Sequence, residues 1–151
     1  MTDDVAPSEI AVMAWARLMR VSRQLSEKVE DALKRGDLPP LAWYDALHEI
    51  AAAGEAGIRP FLLIDRMLLV QYNVSRLLAR LEGEGLIEKL EVPGDGRGQT
   101  VRITEAGRDL RRRMWAVYGQ AIDGLVGRKL GTADLETLAR LLGKLRDPPV
   151  D

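Results

Sequence analysis

The sequence predicts a mainly α-helical single domain with one small β-hairpin. Three observations lead there. Apolar residues recur at spacings of three and four through six segments, each with its own start and stop signals. Only one stretch, residues 84–104, breaks that rhythm, with two short β-like runs around a loop holding three glycines. Finally, 151 residues with 46% hydrophobic and 30% charged side chains suffice for one proper core.

The elements follow in order. Ser8 can cap a first helix running to about Arg35, where Gly36 and Pro39-Pro40 stop it. Trp15, Leu18, Ser22, Leu25, Val29 and Ala32 form a narrow heptad-like stripe on it. That stripe wants a partner helix, in the same chain or in a second copy. A second helix spans roughly Leu41 to Ala53 and ends before Gly54 and Gly57. A short third fits Pro60 to about Met67, with Pro60 in its first turn. After a turn at Leu68 to Val70, a fourth covers about Gln71 to Glu84 and stops at Gly85. Leu86 to Val92 and Thr100 to Ile103 supply the hairpin strands. Thr104 can cap a fifth helix, with Glu105 favourably placed in its first turn. Gly119, Gly124 and Gly127 predict a bend or early end there. Thr132 is read as the cap of a sixth helix, whose stripe is Leu135, Leu138, Leu141, Leu142 and Leu145.

Composition excludes several classes. With no cysteine, disulfides, thiolate metal sites and cysteine redox sensing are ruled out. The single histidine, His48, gives no basis for a histidine-rich metal site, and no cofactor is expected. The first residues, MTDDVAPSE, are acidic and polar, unlike a secretion signal. No apolar run reaches the roughly 18–20 residues that span a bilayer. A cytoplasmic protein is the expectation. The formal net charge of -1 exerts no global pull on nucleic acid, so any basic surface must be local.

The fourth helix and the hairpin carry the functional signal. On a helical wheel Val70, Val74, Leu77, Leu78 and Leu81 share the core side. Tyr72, Ser75, Arg76 and Ala79 fall opposite, an outer face of small and hydrogen-bonding groups with a guanidinium. Such a face suits a DNA major groove, and Gln71 and Asn73 stand at the helix start, where base contacts usually concentrate. Helix, short turn, helix and then a hairpin with Asp95 and Arg97 at its tip is the order of a winged helix-turn-helix. Glycines 94, 96 and 98 let the hairpin backbone approach a groove closely. Arg97 has the shape and charge for a narrow minor groove. Asp95 is expected to brace an arginine, either Arg97 or Arg76, and Arg76 can serve either a guanine or a phosphate. Residues 57 to 113 hold eleven basic against eight acidic residues, a small local excess.

The run VSRLLARLEGEGLIEK…DGRGQTVRITEAGRDL resembles the MarR family of bacterial transcriptional regulators. The matching pieces are Ser75-Arg76, Leu81-Glu82, Gly85-Leu86-Ile87, Asp95-x-Arg97 and Ile103-Thr104-x-x-Gly107. They span about residues 60–110. One departure is Leu68-Leu69-Val70, where many relatives carry a glycine before the recognition helix. The resemblance implies one domain over residues 1–151. Residues 8–35 and 104–146 would form a helical dimerisation region, and 41–103 a winged helix-turn-helix lobe. It further implies a homodimer on a pseudo-palindromic double-stranded DNA operator, acting as a repressor of its own or a neighbouring gene. A small aromatic or anionic effector would release it.

That effector would sit between dimer body and lobe, where Trp15, Trp43, Tyr44, His48, Trp115 and Tyr118 are the candidate lining. Tyr44 and His48 are four apart and share a helix face. The plainer reading makes these residues ordinary junction core. The rival function is a protein-interaction module that keeps the winged-helix shape without reading DNA. The chain is read as a non-enzyme. No Gly-rich phosphate loop follows a strand, and no nucleophile–His–acid set can be assembled.

Overall fold

In the computed structural model the described residues are 5–68, 73–92, 94 and 98–146. The order is α1 (Glu9–Arg35), α2 (Leu41–Ala52), α3 (Pro60–Arg66), α4 (Val74–Gly83), β1 (Ile87–Glu91), β2 (Gln99–Ile103), α5 (Glu105–Ile122) and α6 (Thr132–Leu145). A π-helical turn, Asp123–Gly127, follows α5 directly. The expected mainly helical fold with one hairpin is therefore what forms. The early end predicted for α5 takes the form of this π turn.

Local chemistry sets the boundaries. The Ser8 hydroxyl accepts the Ala11 N–H at 3.2 Å, and Gly36 closes α1 with its N–H on the Ala32 and Leu33 carbonyls. The Glu30 carboxylate accepts the Leu41 N–H at 3.0 Å, so a side chain of α1 caps α2. The Thr104 hydroxyl accepts the Gly107 N–H and caps α5. Two boundaries differ from expectation. The described part of α4 begins at Val74, after Asn73, whose side chain accepts the Arg76 N–H as the N-cap. The expected turn at 69–70 and the helix start at Gln71 lie outside the described residues. At α6 the N-cap is Gly131, not Thr132. Its extended backbone turns the chain, and its carbonyl accepts the Leu135 N–H, so Thr132 is already the first helical residue.

The core centres on α2, which buries Leu41, Ala42, Tyr44, Ala46, Leu47 and Ile50, nearly its whole circumference. A helix apolar on all sides belongs inside, and α1, α3, α5 and the hairpin pack around it. The two strands pair antiparallel, with Ile87 opposite Ile103 and Lys89 opposite Val101. Ile58 adds a bridge to Val101, exchanging both backbone hydrogen bonds at 2.9 Å. This third rung ties the hairpin to the loop after α2. Gly57, at φ +75°, permits it, because a Cβ there would press on the Val101 carbonyl at 2.7 Å.

The α1 stripe divides in two. Leu25 and Ala32 are half-buried and Val29 is buried, which accounts for its C-terminal half within the chain. Trp15 remains 64% exposed and Leu18 38%. No residue of α6 is buried.

The start of α5 meets the hairpin at its closest point. Leu86 accepts the Thr104 N–H at 3.0 Å through its carbonyl, and Gly85 accepts the Thr104 hydroxyl at 2.6 Å. Gly107 lies against the same Leu86 carbonyl, where a Cβ would collide with it and with the Ile103 side chain. Gly107→Ala is expected to cost about 1–3 kcal/mol through this overpacking. Urea unfolding reads it as a lower midpoint, and an unchanged midpoint would contradict the close approach.

Candidate functional site

The buried side of α4 is Leu77, Leu78 and Leu81, which fixes the helix on the lobe and turns Ser75, Arg76, Ala79 and Arg80 to solvent. Ser75, Arg76 and Ala79 are the described part of the predicted outer face, and Arg80 adds to it. Asn73 is exposed at its start. Its amide oxygen is occupied at 3.2 Å by the Arg76 N–H, which leaves its NH2 group to donate outward. Gln71, Tyr72, Asp95 and Arg97 lie outside the described residues. The hairpin leading to the latter two is in place, closed by a Val92 N–H to Gly98 carbonyl bond of 3.0 Å.

The local basic excess is distributed unevenly. Arg102 pairs with Glu88 across the hairpin and reaches Glu55 at 3.5 Å. Arg108 contacts Glu55 at 3.7 Å and Glu105 at 3.6 Å. Lys89 faces Glu82 at 3.8 Å, and Arg112 pairs with Asp109. These exposed pairs contribute little stability, typically under about 1 kcal/mol each. They do neutralise the cations near the hairpin base. Among the described residues Arg66, Arg76 and Arg80 carry no ion pair. In the lobe these lie on α3 and α4, and Arg111 and Arg113 of α5 likewise carry no ion pair among the described residues.

Beside the lobe, α2 and α5 enclose a cavity of about 480 Å³, within the usual range for small-molecule sites. Tyr44, Asp45, His48 and Glu49 form one wall, and Arg111, Trp115, Tyr118 and Ile122 the other. Leu68, just past α3, stands at the edge and is 78% exposed. The rings are organised. Tyr44 stacks between His48 (centroids 5.6 Å) and Trp115 (5.9 Å), and Tyr118 meets Tyr44 edge-on at 5.1 Å. Arg111 Nη1 faces His48 Nδ1 at 3.4 Å, and its Nε is buried without a hydrogen-bond partner among the described residues. Burial, then the Asp45 carboxylate, then Tyr44 push the Tyr118 hydroxyl above the ordinary tyrosine pKa.

The structure thus brings together four of the six aromatic candidates. Trp43, half-buried against the core, and Trp15, on the exposed part of α1, do not line this cavity. Asp45, 6% exposed, and Arg111 were missed because charged residues in a helix read as solvated. The spacing of Arg111, Trp115 and Tyr118, four then three, was the available signal. No group of three or more metal-ligating side chains occurs among the described residues, and no helix there is long and apolar enough to cross a membrane.

Residues 37–98 match the model of the MarR family. An uncharacterised HTH-type transcriptional regulator of Bacillus cereus is 32% identical over 98 residues, 65% of this chain and 63% of its own length. The chain thus spans under two thirds of that relative. Among solved structures, a mutant of MarR from E. coli complexed with operator DNA is 25% identical at a TM-score of 0.76, covering 94% of this chain and 100% of the other. A MarR family regulator from Streptomyces coelicolor, in complex with DNA, reaches 0.84 at 20% identity, over 96% and 91% of the two chains. An organohalide-sensing regulator with bound 2,4-dichlorophenol reaches 0.76 at 20%, over 97% and 88%. The last two speak for the fold.

Two outcomes follow from this geometry. Asn73→Ala removes the α4 cap and should lower stability by about 1 kcal/mol, whereas Asn73→Ser keeps a capping oxygen and most of that stability. Urea unfolding compares them, and equal losses would contradict the cap. For Tyr118, a folded pKa above the unfolded value near 10 means stability is intact below pH 10 and falls as pH rises through the folded pKa. Tyr118→Phe should flatten that alkaline limb in a thermal-unfolding series from pH 8 to 11. An unaltered limb would contradict the shift.

Proposed function

We propose that the chain is a MarR family regulator, the family whose model matches residues 37–98, and that it is a dimeric, sequence-specific double-stranded DNA-binding transcriptional regulator. It represses its own or a neighbouring gene and is released by a small aromatic ligand. The observation that carries this reading is the outer side of α4. There Ser75, Arg76, Ala79 and Arg80 are exposed on a helix held by three buried leucines, and neither Arg76 nor Arg80 carries an ion pair among the described residues. A solvated helix has no need of that arrangement, and a major groove uses both its donors and its charge. The complex of the E. coli relative with operator DNA supports the same use.

In this mechanism α4 enters the major groove. Gln71, Tyr72, Asn73 and Ser75 read base edges, with the free NH2 of Asn73 as donor, and Arg76 contacts guanine or phosphate. The hairpin carries Arg97 to the adjacent minor groove, and Asp95 holds an arginine in position. Trp15 and the leucines of α6 pack in the dimer body. α1 needs cover on two opposite sides near its start. Ile10, Met13 and Val21 form one exposed apolar face, Val12 and Met19 the opposite one, and the exposed Trp15 and Leu18 of the stripe lie between them. A second copy is the occupant that such a symmetric assembly provides. The stacked rings beside Arg111 would hold the effector, whose differential affinity for the free and DNA-bound shapes sets how far it shifts the dimer.

Duplexes selected from random sequence on the wild-type chain provide the test. Ser75→Ala should lose affinity for the selected duplex by roughly 1–3 kcal/mol and little for random DNA. Arg97→Ala should weaken binding to all sequences and lower the salt slope by roughly one. Asp95→Ala should also weaken binding although it removes a negative charge, and tighter binding would eliminate the bracing role. No duplex enriched over background would leave the protein-interaction module as the better reading.

A further inference from the structure

The aromatic cavity has a neighbour. A second cavity of about 200 Å³ lies further along α5, lined by Leu25 and Val29 of α1, Leu41 at the start of α2, and Leu125 and Val126 of the π turn. Tyr118 and Ile122 line both cavities, so the two adjoin across these side chains. The walls grade together. On α5 and its π turn, Arg111, Trp115, Tyr118, Ile122 and Leu125 follow spacings of four and three along one side, from cation through rings to aliphatic carbon. On α2 the sequence Glu49, His48, Asp45, Tyr44, Leu41 runs from charged to apolar toward the same end. From Arg111 to Leu125 the path is about 20 Å at the helical rise.

Each part has its own chemistry. At the polar end the buried Arg111 Nε lacks an acceptor, and the half-exposed Trp115 ring offers a stacking face. At the other end the lining is aliphatic apart from Ser26, on α1, and the shared Tyr118. A cavity of about 150 Å³ with such aliphatic walls admits a benzene, so 200 Å³ holds a short alkyl chain. The π turn is what places Leu125 and Val126 here, since π-helical turns alter the register of a helix and often occur at functional sites.

We propose that the effector site is bipartite and selects an amphiphilic aromatic. An oxygen-bearing ring would lie between Trp115 and Arg111, and an aliphatic substituent would pass Tyr118 and Ile122 into the smaller cavity. This rests on the effector reading above and adds the class of molecule. A simple aromatic acid fills only the first part. An alkylphenol fills both.

The test uses the full-length chain and a ladder of 4-alkylphenols from ethyl to hexyl, with dissociation constants from equilibrium dialysis. Affinity should rise about fourfold per added methylene and level off once the smaller cavity is full. Ser26→Phe and Val126→Phe narrow that cavity from two walls. Each should flatten the ladder while 4-ethylphenol binds within about twofold of wild type. Ser26→Ala should leave the ladder intact. If 4-ethylphenol binds but longer chains gain nothing, the bipartite site is wrong and the aromatic cavity stands. A ladder that persists in both narrowed variants places the chain elsewhere and overturns the proposal. So does weakened self-association in those variants with the ladder unchanged, because a second copy would then occupy the space. No binding by any phenol removes the effector reading itself.

Discussion

Leu86 presents its carbonyl oxygen where the hairpin, the end of α4 and the start of α5 converge. It accepts the Thr104 N–H and leaves no room for a side chain at Gly107. Gly85, beside it, adopts φ +73° to end α4 and accepts the Thr104 hydroxyl. A helix cap, a strand end and a positive-φ turn are thus one structure. Because α5 also packs on α1 and α2, the hairpin cannot shift at its base without moving a helix that reaches the rest of the molecule. The position of α4 depends on the same junction, since the Leu86 N–H closes on the Leu81 carbonyl at 2.9 Å.

Rigidity at that junction gives a contact surface a defined geometry. The cavity between α2 and α5 lies where the lobe meets α5, and it extends to Leu68, next in sequence to the segment leading to α4. A molecule resting on the Trp115 and Tyr44 rings would touch both the packed helices and the connection to the recognition helix. That is the arrangement a ligand-controlled binder needs, because an occupant acts only through contacts that differ between two shapes. The exposed ion pairs around Glu55 serve positioning more than stability, and they keep Arg102 and Arg108 from adding to the positive surface.

Much of this was legible in the chain because local rules act locally. Ser8 and Thr104 cap where expected, Pro60 opens α3, and the hairpin falls in the glycine-rich break. Thr132 misled, since a threonine before an acidic turn resembles a cap while the extended Gly131 does that work. Asn73 was read as a base contact alone, because the phase of Val70 with Val74 hid its strong capping preference. The cavity was half legible. Helical spacing brings Tyr44 with His48 and Trp115 with Tyr118, but no spacing within one helix tells which rings meet across helices. Trp15 and Trp43 were therefore grouped with residues they do not join, and Asp45 and Arg111 were left out.

The central claim is that two chains present α4 and the hairpin to one duplex. Hydroxyl-radical footprinting of a selected duplex, with the bound mass measured by sedimentation equilibrium, addresses it directly. The account predicts two chains per duplex and two symmetric protected half-sites about one helical turn, 10–10.5 base pairs, apart, each with a flanking minor-groove protection from the hairpin. One chain per duplex, or a single protected patch without symmetry, would contradict it.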